Sequence, residues 1–192
     1  MSLGIKRPSS LVARAGVSKT PVVGSIPIWA SIFKGVIMDN EERKMAEEIF
    51  NTTSMLLAEA KDDRGIPPTY FIVKDKMMTP LIGAPDITHG HLAGTAVNVA
   101  HEWDADAVIL ICEQYMITMH KDDAEIQDYM DGTKRPSESP DAKPFLTLIY
   151  MNKIGESESF VGEIIKSLNG VRYVPDPYWI DEAVTNMITP WA

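Results

Sequence analysis

Apolar residues recur along the chain at two different spacings, and the changes between them mark out its elements. Met45, Ala46, Ile49, Phe50, Thr53, Leu56, Leu57 and Ala60 follow one another at spacings of one, three and four. That is one face of a helix, predicted over 40–61. Asp39 with Glu42 three residues on forms a capping box at its start, and Gly65-Ile66-Pro67-Pro68 stops it. A second stripe, Leu92, Ala93, Ala96, Val97, Ala100 and Trp103, predicts a helix over 88–103. Asp86 or Thr88 is placed to cap it.

Between and after the helices the pattern shortens to that of strands. Tyr70-Phe71-Ile72-Val73 is rich in β-formers, and Lys74-Asp75-Lys76 can turn it into a second strand over 77–82. The next strand, 107–119, is continuously apolar at first, which places its start centrally in a sheet. Strands follow over 145–151, 160–168 and 171–175, with Asn169-Gly170 expected to form a two-residue hairpin turn. Residues 178–188 suit a short closing helix. Residues 120–143 are polar and form a long loop, with one helical turn expected near 124–129; loops of this length are commonly functional or disordered. Tight turns make neighbouring strands antiparallel, while the helix leading into 107–119 allows one parallel pair. The fold class expected is α+β, a mainly antiparallel five- to six-stranded sheet packed with two long helices.

The first 38 residues stand apart. They show no sustained period, and Pro8, Gly16, Pro21, Gly24, Pro27 and Gly35 interrupt them. Yet Val22, Val23, Ile26, Ile28, Trp29, Ile32, Phe33, Val36 and Ile37 give them an apolar content that disordered tails lack. Residues 1–38 are therefore read as an extended arm built to lie against something, and 39–192 as a single α+β domain. Charge sharpens the division. The arm carries five basic and no acidic side chains, which leaves −14 on the remainder of a chain whose net charge is −9. An acidic body repels nucleic acid, so only the arm could bind a phosphate backbone.

Composition adds bounds. Apolar residues are 45% and charged residues 23%, values of a globular chain. No run of apolar residues is long enough for a transmembrane helix, and the start, Met1 to Arg7, does not read as a secretory leader. Cys112 is the sole cysteine, which rules out an internal disulfide and fits a reducing, cytoplasmic setting. Its apolar neighbours mark it as a small core residue.

Candidate chemistry is sparse. His89-Gly90-His91 invites a metal reading with His89 and His91 as ligands, although residues two apart point to different sides of a helix and these sit at a helix start. His101-Glu102 lacks the second histidine of a His-Glu-x-x-His helix. Glu113 near the end of an apolar strand, His120, and Glu138 and Asp141 in the long loop could together do general acid–base work. The plainer reading of Glu113 is that it binds backbone amides or an arginine such as Arg135. No glycine-rich phosphate loop or nucleophile elbow is present, and no cofactor is expected.

Ala105-Asp106-Ala107-Val108 through Cys112-Glu113-Gln114-Tyr115-Met116, followed by Pro136-Ser137-Glu138-Ser139-Pro140-Asp141, resembles a small uncharacterised family of bacterial and phage genomes. The resemblance covers about residues 87–165 and omits the arm. It departs at Cys112, Gln114 and Tyr115, where the family has serine, alanine and tryptophan. It implies organisation and a possible phage or virion setting, and no activity. The leading expectation is a non-catalytic assembly or interaction protein, a homo-oligomer or part of a larger assembly, with Val22, Val23, Ile26, Ile28, Trp29, Ile32 and Phe33 meeting a partner subunit. The alternatives are a small hydrolase built on the carboxylates and His120, or a nucleic-acid module acting through the arm.

Overall fold

Asp39 starts the first helix through a reciprocal cap. Its Oδ1 accepts from the N–H groups of Glu41 and Glu42 at 2.8 and 2.9 Å, and Glu42 Oε2 accepts from the Asp39 N–H at 2.9 Å. The computed structural model describes residues 11–13, 38–60, 65–81, 89–119, 125, 128–129, 133–180 and 191. Its elements are β1 (Leu11–Ala13), α1 (Asn40–Glu59), β2 (Thr69–Lys74), β3 (Met77–Leu81), α2 (His89–Glu102), β4 (Ala107–Met119), β5 (Lys143–Asn152), β6 (Ser157–Glu163), β7 (Ile165–Lys166), β8 (Arg172–Tyr173) and β9 (Tyr178–Ile180).

The main sheet has the order β3-β2-β4-β5-β6-β9, and β1 pairs with the far end of β4. Among the described residues every ladder is antiparallel. Both β3 and β4 pair antiparallel with β2, so they run the same way, but β2 lies between them. The α2 crossover therefore produces no parallel ladder.

Strand alternation divides the core into two layers. Val108, Leu110, Cys112 and Met116 of β4 pack with Ile149, Val161, Ala96 and Ala100 on the α2 face. Ala107, Ile109 and Ile111 pack with Leu146, Leu148, Phe160, Phe50 and Leu57 on the α1 face. One helix thus covers each side of the sheet. The start of β4 is continuously apolar because it is buried from both sides. Phe50 meets Phe160 edge-on at 4.8 Å, and Phe160 lies 4.8 Å from Trp179. Burying a side chain such as Phe50 is worth roughly 1.5–3 kcal/mol.

Three details differ from the sequence pattern. The run 160–168 is not one strand. The β5–β6 ladder ends at Phe145 opposite Glu163 because Pro144, the next residue on β5, has no N–H to give, although its carbonyl accepts from Ile164 at 2.8 Å. Beyond it, β7 and β8 form a separate two-stranded ribbon. Their turn also differs. Gly170 N–H donates to Ser167 O and Ser167 N–H to Val171 O, both at 2.9 Å, and Gly170 has φ +84°. Leu168-Asn169-Gly170 is therefore a three-residue loop ending in a left-handed glycine, since a two-residue type I′ turn needs positive φ at both central residues. Asp75 and Lys76, with φ 49° and 61°, make that turn between β2 and β3 instead. Lastly, residues 178–180 are a strand, because β6 offers an open edge that Tyr178-Trp179-Ile180 can pair with. Of the expected closing helix, 181–188 lies outside the described residues.

Candidate functional site

Glu113 is on the α1 face of β4, and its carboxylate is held by three donors. Arg172 Nη1 reaches Oε2 at 2.9 Å, Arg172 Nη2 reaches Oε1 at 3.1 Å, and the Ile66 N–H reaches Oε1 at 2.6 Å. The Arg172 and Glu113 side chains are only 13% and 17% exposed. This two-pronged, charge-assisted grip is a strong form of ion pair. It sets the chain between α1 and β2. Gly65 passes directly over the carboxylate with φ +78°, and a Cβ there would stand 3.2 Å from Glu113 Oε2, so both backbone and space call for glycine.

The hydrogen bonds described on the Glu113 carboxylate come from Arg172 and Ile66. Glu138, in a single 3-10 turn over Pro136–Glu138, and Asp141 are both exposed. The Asp141 N–H donates to Ser139 Oγ at 3.3 Å. His120 lies outside the described residues. Cys112 is buried on the opposite, α2 face. His89 and His91 both fall in the first turn of α2, where residues two apart point in different directions. His91 is exposed, and the His89 side chain falls outside the description. Among the described residues, no three His, Cys, Asp or Glu side chains form a metal-binding group.

What the structure presents instead is a groove of about 600 Å³ on the α1 face. One wall is α1, through Met45, Glu48, Ile49, Thr52, Thr53 and Leu56. The opposite wall and floor are Ile66, Pro67, Thr69, Phe71, Met78 and Ile111. Ile66 belongs to both features. Its side chain lines the groove, and its N–H is gripped by Glu113. The Glu113–Arg172 pair thereby fixes one wall of the groove from behind. The far side of α1 is anchored too. Arg43 pairs with Glu158 at 2.8 Å and stacks over Trp179, whose Nε1–H donates to Glu47 at 2.8 Å.

The groove was missed because its signal sits inside the helical stripe. Ala46, Phe50, Thr53 and Leu57 are the buried positions of α1, but the apolar arc is wider than that. Met45, Ile49 and Leu56 form a second row beside it, and Leu56 is 55% exposed. An apolar arc wider than the buried seam is the legible sign of a face that meets something besides its own sheet. The partner-binding residues expected in the arm, Val22, Val23, Ile26, Ile28, Trp29, Ile32 and Phe33, lie outside the described residues. No family model matches the chain, and no curated protein or solved structure matches it.

Proposed function

We propose that this is a non-catalytic interaction protein that assembles by docking extended apolar segments, with copies exchanging their N-terminal arms. The observation that carries this reading is the open apolar groove along α1. Its polar lining is confined to Glu48 and a few threonines, which suits an apolar chain better than a polar substrate. Surfaces of this kind, rimmed by polar residues, serve as contact sites. The arm supplies a fitting segment, apolar and spaced by Pro21 and Pro27, which favour an extended path. Its five positive charges are opposite in sign to the net charge of the remainder, which aids encounter and orientation.

Molar mass by light scattering over a range of concentrations tests it. The full chain is expected to associate as concentration rises, and the chain lacking residues 1–37 to remain the smaller species at every concentration. Met38 is kept because it is fully buried in the α1-face core. Identical association with and without the arm would refute the proposal.

A further inference from the structure

The positions of β1 and Met38 bear on what fills the groove of a single chain. Met38 is buried just before α1. The first turn of α1 is bound to the start of the sheet, where the Tyr150 hydroxyl donates to Glu42 Oε1 at 3.2 Å and Lys76 pairs with Asp39 and Glu41. Tyr150 lies opposite Ile109, near the beginning of β4. The other end of the arm is fixed far along the same strand, where Leu11, Val12 and Ala13 pair with Met119, Thr118 and Ile117. The groove lies between these points, over Phe71 and Ile111 and along α1 from Met45 to Leu56.

We infer that in a lone chain the groove is the seat of that chain's own arm, within residues 22–37. The inference rests on the arm–groove pairing proposed above and adds which chain supplies the arm before any exchange. Length permits the path. The helix has 20 residues and is about 30 Å long, and the stretch of β4 between Ile109 and Thr118 is about as long. Residues 14–37, extended, reach about 80 Å, so the chain can run the length of the groove with slack. Sequence supplies the matching surface, with Ile26, Ile28, Trp29, Ile32 and Phe33 in the middle of the span. Tethering supplies the preference. A segment held at both ends on one body faces its own groove at an effective concentration on the order of millimolar. A second copy at micromolar concentration cannot compete until the arm is released. Exchange between copies then reuses the same seat, the usual course of a domain swap.

Photocrosslinking in the full chain tests this independently of register. A benzophenone amino acid replaces Thr52, an exposed groove residue of α1. Equal amounts of unlabelled and nitrogen-15-labelled protein are mixed, irradiated dilute and concentrated, and digested for mass spectrometry. The dilute sample is expected to give crosslinks from Thr52 to residues 22–37 within one isotopic chain, at monomer mass. Placing the same group at Met55, which is 61% exposed and does not line the groove, should lower that yield at least several-fold. Dilute crosslinks that join the two isotopes would overturn the inference while leaving arm exchange standing. Intrachain crosslinks that persist unmixed at high concentration would uphold the inference and defeat the exchange proposal. Crosslinks that avoid residues 22–37 in both samples would overturn both.

Discussion

Removing either side of the Glu113–Arg172 grip should destabilise the fold, even though Glu113 was the first candidate for a catalytic carboxylate. Both side chains are more than four-fifths buried, and the guanidinium makes two bonds to the carboxylate. Hydrogen bonds to charged groups contribute about 1.5–3 kcal/mol net, and taking one partner from a fully buried pair costs about 3–5 kcal/mol. This pair keeps some contact with water, so about 2–3 kcal/mol is expected for Arg172→Ala. Glu113→Gln keeps an oxygen for the Ile66 N–H but turns an amide N–H₂ toward the guanidinium, placing donor against donor. About 2 kcal/mol is expected there. In a chain of this size each kcal/mol moves Tm by about 2–4 °C, so both variants should melt roughly 4–12 °C lower. Urea denaturation followed by circular dichroism on the single and double variants gives the coupling directly. The double variant should cost little more than either single one, a coupling of about 1.5–2 kcal/mol. A coupling below about 0.5 kcal/mol, with single variants near wild type, would reduce the pair to an ordinary surface contact and refute its role as the support of the groove wall.

Three further outcomes follow from the same geometry. Gly162→Ala should cost about 1–3 kcal/mol by urea denaturation, because a Cβ there would collide with Val174 Cγ1 and crowd the Pro177 backbone. Burial pushes the hydroxyls of Tyr70 and Tyr150 well above the ordinary tyrosine value, with the Glu42 carboxylate adding to the effect at Tyr150. The folded state holds these protons more tightly, so stability present below pH 10 should fall as pH rises above it. Spectroscopic titration should show two of the six tyrosines ionising only as the dichroism signal is lost. At the acid end, the N–H of Glu42 and then the Lys76 ammonium hold the Asp39 carboxyl below its ordinary value of 3.8. The cap is therefore intact above that value and lost as pH falls through the lower folded one. Amide exchange by NMR should show the first turn of α1 loosening before the sheet.

The elements legible in the sequence were those whose cause is local. A capping box and a single stripe define α1, and a run of residues buried from both sides defines the start of β4. What could not be read depends on pairing across the fold. Nothing near Ile164 announces that Pro144, twenty residues earlier, ends the ladder it would extend. Asn169-Gly170 signals a turn correctly, but the loop gains a residue because the ribbon has a ladder of its own, whose register is set by Ile165 opposite Tyr173. Glu113 was legible as an important carboxylate. Its partner was not, because Arg172 reaches it from a ribbon 59 positions away. The expectation that a strand-end glutamate meets a backbone amide or an arginine described the type of contact, but it offered Arg135 where the partners are Ile66 and Arg172. The groove was obscured for a related reason. Leu56 belongs to the helical stripe of α1, and only the placement of β2, β3 and the 65–68 segment leaves it uncovered.

The arm–groove pairing is tested most directly by titrating a peptide of residues 20–37 into the body 38–192, its fold first verified by circular dichroism, and following heat. The account predicts saturable one-to-one binding with a negative heat-capacity change, the mark of apolar burial. Leu56→Asp should weaken that binding at least tenfold, since Leu56 is on the groove and exposed enough for the fold to tolerate the change. A peptide that does not bind, or binds equally well to the Leu56→Asp body, would contradict it.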